Sequence, residues 1–123
     1  AARYIYTRPS KALRAIFAEE DDPVLEYQNE EGINIEPKWY CPVMPMILVN
    51  GADGIGTGWS TSVPNYNPRD VIANIRRLIR KEPLEPMTPW FRGYKGTVSP
   101  IPAQPGRFEA MGVATKRGRV RLE

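Results

Sequence analysis

An arginine and a tyrosine, Arg3-Tyr4, stand almost at the head of this 123-residue chain. A phenol with a pKa of about 10 is a poor nucleophile at neutral pH. To attack a phosphodiester it must lose its proton, and the charge on the phosphate oxygens must be stabilised. A neighbouring guanidinium suits that second task, because it is planar, permanently charged and able to bond bidentately. The product would be a phosphotyrosyl ester. Such an ester keeps the broken link activated, so resealing needs no separate high-energy cofactor. On the dipeptide alone, an exposed arginine beside a strand tyrosine remains the ordinary reading.

The second candidate is the run Gly51-Ala52-Asp53-Gly54-Ile55-Gly56-Thr57-Gly58-Trp59, read as a glycine-rich loop. Gly54 and Gly56 let a backbone come close to a phosphate or a base stack. No lysine follows in the phosphate-loop pattern, and no acidic ribose ligand completes a dinucleotide fingerprint, which disfavours a nucleotide site. Ile55, a β-branched apolar residue between two glycines, has the character of a wedge that enters a base step and kinks a duplex. Packing inward under a tight turn is the plain alternative, and the loop alone favours it. Arg76 and Arg77 could each meet a phosphate or lie on a wet helix face. Trp39-Tyr40, Trp59 and Trp90-Phe91 are expected in the core.

These residues need elements to hold them. Leu13, Ile16 and Phe17 fall at helical spacing, which predicts a short helix over 9–17, with Thr7 as its cap and Pro9 in its first turn. The acidic stretch 19–36 reads mostly as a loop around a short element at Val24–Tyr27. The apolar run Val43–Asn50 is broken by Pro45 and ends in the Asn50-Gly51 turn signal. The strongest helix signal begins at Asn67-Pro68: a good cap, a proline at the first position and Asp70 in the first turn. Val71, Ile72, Ile75, Leu78 and Ile79 then form a stripe expected to be buried, and Pro83 ends the run. Beyond Pro89, Tyr94–Val98, Arg107–Ala110 and Val120–Leu122 alternate like short strands. A boundary between two units is expected near residues 40–50.

Composition narrows the classes. With 41% hydrophobic and 25% charged residues the chain reads as globular. Its 13 prolines disfavour long uninterrupted helices. A single cysteine, Cys41, excludes an internal disulfide framework, and the absence of histidine excludes a Cys/His zinc site or a Ser-His or Cys-His pair within the chain. No apolar run is long enough for a membrane span, and no leader peptide is expected ahead of the first element. The chain opens without methionine and closes on a charged run, as part of a longer polypeptide would. The net charge of +3 is unevenly spread. Residues 1–18 carry four bases and no acid, residues 19–36 eight acids and no base, and residues 69–121 twelve bases and four acids. Nucleic acid is the natural partner of the basic stretches, and solvated surface charge the plain alternative.

Taken in order, these segments resemble the eukaryotic type IIA DNA topoisomerases. The likeness lies in Ala1-Ala2-Arg3-Tyr4-Ile5-Tyr6-Thr7, in Glu36-Pro37-Lys38-Trp39-Tyr40, and most specifically in the sixteen residues from Pro45 to Ser60. Asn74–Leu78 and Trp90–Thr97 extend it, and it fades after residue 98. Lys38 and Asp53 stand where the family more often has glutamate. The resemblance implies that Tyr4 is the nucleophile joined to the 5′ end of the cut strand, that Arg3 holds the phosphate, and that Ile55 is the wedge in bent DNA. It implies an α+β fold: residues 1–40 as the C-terminal end of a winged-helix domain, and residues 41–123 as the beginning of an α/β tower domain. The parent would be a homodimeric, ATP-hydrolysing enzyme that cleaves and religates double-stranded DNA for strand passage. Its Mg²⁺ and ATP would be bound by domains outside this chain, so that this piece alone is inactive. Its place would be the nucleus, or the DNA compartment of an infected host for a viral enzyme. A non-catalytic DNA-bending module and a nucleotide-binding domain are the competing readings.

Overall fold

The computed structural model describes residues 4–117 and 121–122. The chain divides into two compact units, Ala1–Pro45 and Met46–Glu123. Each mixes helix and strand, in keeping with an α+β class.

In the first unit the expected helix is confined to α1, Leu13–Ile16. Ala12 stands at its N-cap and offers no side-chain acceptor, so Thr7 does not cap it and Pro9 lies ahead of it in irregular chain. One turn is too short to persist by itself. Its end is held by the capping Phe17 N–H, which donates to the Leu13 carbonyl at 2.8 Å, and by one tertiary bond, from the Val43 N–H to the Ile16 carbonyl at 2.9 Å.

The acidic stretch is not the loop expected of it. It forms a 3-10 helix, Glu19–Val24, and then an antiparallel hairpin of β1, Tyr27–Glu30, and β2, Ile33–Pro37. Four carboxylates sit in the first turn of the 3-10 helix, at the end where a helix dipole favours negative charge. The hairpin turns at Glu31-Gly32, with φ of 51° and 83°. Two successive left-handed residues suit the twist of a two-residue connection. The Asn29 side chain accepts from the Gly32 N–H at 3.0 Å and tightens the turn. Glu-Gly is not a strong hairpin dipeptide and β1 has no alternating apolar residues, which hid this element from the sequence pattern.

The second unit opens with α2, Met46–Asn50. Gly51, at φ 69°, ends it by donating its N–H to the Ile47 carbonyl at 2.9 Å. The glycine-rich run that follows is half of a regular hairpin rather than a loop. Strand β3, Ala52–Gly56, turns through Thr57-Gly58 into β4, Trp59–Val63.

Helix α3, Pro68–Ile79, begins as its sequence predicts. The Asn67 side chain accepts from the Arg69 N–H at 3.0 Å. The stripe is only partly buried: Val71 is 2% exposed, Ile72 and Ile75 are half-buried, and Leu78 and Ile79 are exposed. The reason is length. Helix α2 packs against α3, and five residues span about 7.5 Å against about 18 Å for twelve. The helix stops ahead of Pro83, where Lys81 takes φ 59°. The Asn74 amide fixes the returning chain, donating to the Glu85 carbonyl at 2.8 Å and accepting the Glu85 N–H at 2.9 Å.

Strands β5, Thr97–Pro100, and β6, Phe108–Met111, pair antiparallel, as do the short β7, Lys116–Arg117, and β8, Arg121–Leu122. Of the strand expected at Val120–Leu122, Val120 lies outside the described residues. The aromatic residues expected in the core are not there: Trp39, Tyr40, Trp59, Trp90 and Phe91 are all exposed. Short hairpins have too few facing layers to enclose side chains of that size.

Candidate nucleic-acid interface

Tyr4 is 71% exposed and leads the irregular segment before α1. Arg3 lies outside the described residues. The first unit also holds an ion pair. Arg14 on α1 donates to both carboxylate oxygens of Asp22, at 3.1 and 2.9 Å. That hydrogen-bonded guanidinium holds the Asp22 carboxyl below its ordinary pKa, and the same bond raises that of Arg14. The Tyr27 hydroxyl donates to the Asp22 carbonyl at 2.9 Å. A cleft of about 300 Å³ lies among Leu13, Phe17, Leu25, Tyr27, Tyr40 and the exposed Cys41. Phe17 and Tyr40 meet there edge to face, with ring centroids 5.5 Å apart.

In the second unit the β3–β4 hairpin presents Ile55 rather than enclosing it. The side chain is 93% exposed, one pair back from the turn, and its cross-strand partner is Ser60. The neighbours Gly54 and Gly56 carry no side chains, and a Cβ built on Gly54 would meet nothing within 4 Å. The apolar side chain therefore stands clear at the end of a narrow ribbon. Of the two readings left open by the sequence, inward packing does not occur in this unit.

The two arginines of α3 differ. Arg76 is exposed and has no ion pair among the described residues, whereas Arg77 is half-buried and engages Glu85 and Glu82. A phosphate could reach Arg76 directly but would compete with carboxylates at Arg77. Sequence reasoning missed Ser60 and Ser62, which share the Ile55 face of the hairpin. Period-two alternation on either side of Thr57-Gly58 was the signal that could have found them.

Among the described residues no group of three or more His, Cys, Asp or Glu side chains is placed to hold a metal ion, and no helix is long and apolar enough to cross a membrane.

The family model for the A subunit of DNA gyrase/topoisomerase IV matches residues 1–123. The chain is 53% identical over 116 residues to DNA topoisomerase 2 of Pisum sativum, covering 94% of this chain and 8% of that protein. It is 54% identical over 112 residues to DNA topoisomerase 2 of Saccharomyces cerevisiae, covering 91% of this chain and 8% of the yeast protein. It is also similar to a crystal structure of the Plasmodium falciparum topoisomerase II DNA-binding, cleavage and re-ligation domain, with a TM-score of 0.75 and 52% identity over 94% of this chain and 16% of that one. The chain thus spans about a twelfth of the length of the curated relatives it matches. With the family model matched from end to end and more than half of the aligned residues shared with these relatives, the chain belongs to the type IIA DNA topoisomerases of the eukaryotic kind.

Proposed function

We propose that this segment supplies the DNA-joining tyrosine and the DNA-kinking wedge of an enzyme that cuts and reseals duplex DNA. The observation that carries the reading is the exposure of Tyr4 at the surface of a chain matched almost throughout to DNA topoisomerase 2. The Tyr4 phenolate oxygen attacks a backbone phosphorus in line, a P–O tyrosyl bond forms, and the bond to the 3′ oxygen breaks. The departing 3′ oxygen takes up the proton that the phenol gave up. Resealing reverses each event, so phosphodiester number is conserved and no external reductant, oxidant or activated donor enters. Arg3 balances charge on the phosphate oxygens, and Ile55 opens a base step of the bent duplex.

In this reading residues 1–40 complete a winged-helix domain, and residues 41–123 begin the tower that flanks the DNA. Two protomers each contribute one Tyr4, so both strands are cut and a second duplex passes. Mg²⁺ and ATP are held, in the same reading, by other domains of the nuclear or viral parent. Glu19–Asp22 form the start of a 3-10 helix, and Asp22 is committed to Arg14.

The test is Tyr4→Phe in the full-length enzyme, with covalent protein–DNA adducts counted on plasmid. Loss of adducts with DNA binding retained is the expected result. Unchanged cleavage removes Tyr4 from the mechanism. A non-catalytic DNA-bending module is the second reading, and the presentation of Ile55 suits it equally; it predicts no adduct in the parent either.

A further inference from the structure

Ser60 is the cross-strand partner of Ile55. Side chains directly opposite one another in an antiparallel pair emerge on one face, with Cβ atoms about 4.5–5.5 Å apart. Alternation along the hairpin groups Asp53, Ile55, Ser60 and Ser62 on that face, and leaves Trp59 and Thr61 with the glycines on the other. Counting back from the turn, Gly56 and Trp59 pair first, then Ile55 and Ser60. Ile55 and Ser60 are therefore the outermost side chains of their face. Asp53 and Ser62 stand about 6.6 Å further back along the strands. Any surface that Ile55 enters is one that Ser60 must also meet.

We infer that Ser60 is a second DNA contact on this hairpin: its hydroxyl bonds to the groove floor, on a base edge or a sugar oxygen, beside the step that Ile55 opens. The inference rests on the wedge reading given above. The chemistry suits the place. The minor-groove floor shows acceptors on every A·T pair and adds an amino donor on G·C. A hydroxyl both donates and accepts, so it finds a partner on either. Ser60 is exposed and makes no side-chain hydrogen bond among the described residues. A carboxylate at this position would meet the phosphates, and the one acid of the face, Asp53, is held two pairs behind the contact.

The experiment compares Ser60→Ala, Ser60→Thr and Ile55→Ala in the full-length enzyme. Affinity is measured by titration of a short duplex, and bending by energy transfer between dyes on its two ends. Ser60→Ala is expected to weaken binding about five-fold, as for one neutral hydrogen bond, with the bend unchanged. Ser60→Thr restores binding, and Ile55→Ala loses the bend. If Ser60→Ala binds like the parent while Ile55→Ala loses the bend, the Ser60 contact is refuted and the wedge stands. If Ser60→Ala loses the bend as well, Ser60 shapes the hairpin and does not touch DNA. If Ile55→Ala bends DNA normally, the wedge reading itself has failed and takes the inference with it.

Discussion

Replacing Gly51 with alanine would place a Cβ 2.8 Å from the Val63 carbonyl oxygen, and 2.9 and 3.1 Å from Oδ1 and Cγ of Asn65. Neither neighbour yields easily. Val63 is the register partner of Ala52 at the base of the Ile55 hairpin. Asn65 is held by its own amide, which donates to the Asn50 carbonyl at 2.7 Å. Gly51 also sits at φ 69°, a conformation that costs an L-residue about 1–2 kcal/mol. Giving up the Asn65 bond adds about 1 kcal/mol, for a total of about 2–3 kcal/mol. The same substitution three residues on has the opposite sign. A Cβ on Gly54 meets nothing within 4 Å, and its φ is not left-handed. Restricting the unfolded chain there stabilises by about 0.4–1 kcal/mol. Amide hydrogen exchange over residues 46–66 reads both effects, with the Tyr66 N–H, bonded to the Leu48 carbonyl at 2.8 Å, as reporter. Gly51→Ala should speed its exchange about 30- to 150-fold, and Gly54→Ala should leave it equal or slower. Comparable effects from the two variants would refute the close approach of Gly51 to Val63 and Asn65 as the cause.

Other expectations follow from single contacts. Arg76→Ala should weaken DNA binding for all sequences and lower the salt slope by about 1. Arg77→Ala should change that slope less, because Glu82 and Glu85 already occupy its guanidinium; equal slopes would show that the acids do not hold it. Asn67→Ala removes the cap of α3 and should destabilise its first turn by about 1 kcal/mol, read as faster exchange there, while Asn67→Asp should be silent. Asp22 should titrate below the ordinary carboxylate range, and its carboxyl NMR shift in Arg14→Gln should move back toward it. Because its folded pKa is lowered, its contribution is complete above the ordinary value and is lost as pH falls through the lowered one. Acid loosening of the first unit should therefore depend less on Asp22 once Arg14 is gone.

Local chemistry made part of this molecule legible from its residues. Asn67-Pro68 specified where α3 begins, because a cap acts within two residues of itself. The run from Pro45 to Ser60, with Tyr4 upstream, announced the family, since glycines in fixed register with Ile55 and Trp59 leave few alternatives. Composition also excluded an internal disulfide, a Cys/His zinc site and a Ser-His or Cys-His pair within the chain. The β1–β2 hairpin was hidden, because it depends on two left-handed residues and on a first strand, β1, without apolar alternation, so that Ile33 and Ile35 of β2 had no matching partner pattern. Burial of α3 could not be read either: a stripe states which face seeks cover, and the elements packed against it, the short α2 among them, decide how much is covered. The choice between an enclosed and a presented Ile55 was likewise tertiary. Periodicity describes one strand at a time, whereas exposure depends on what its partner strand and its neighbours place opposite.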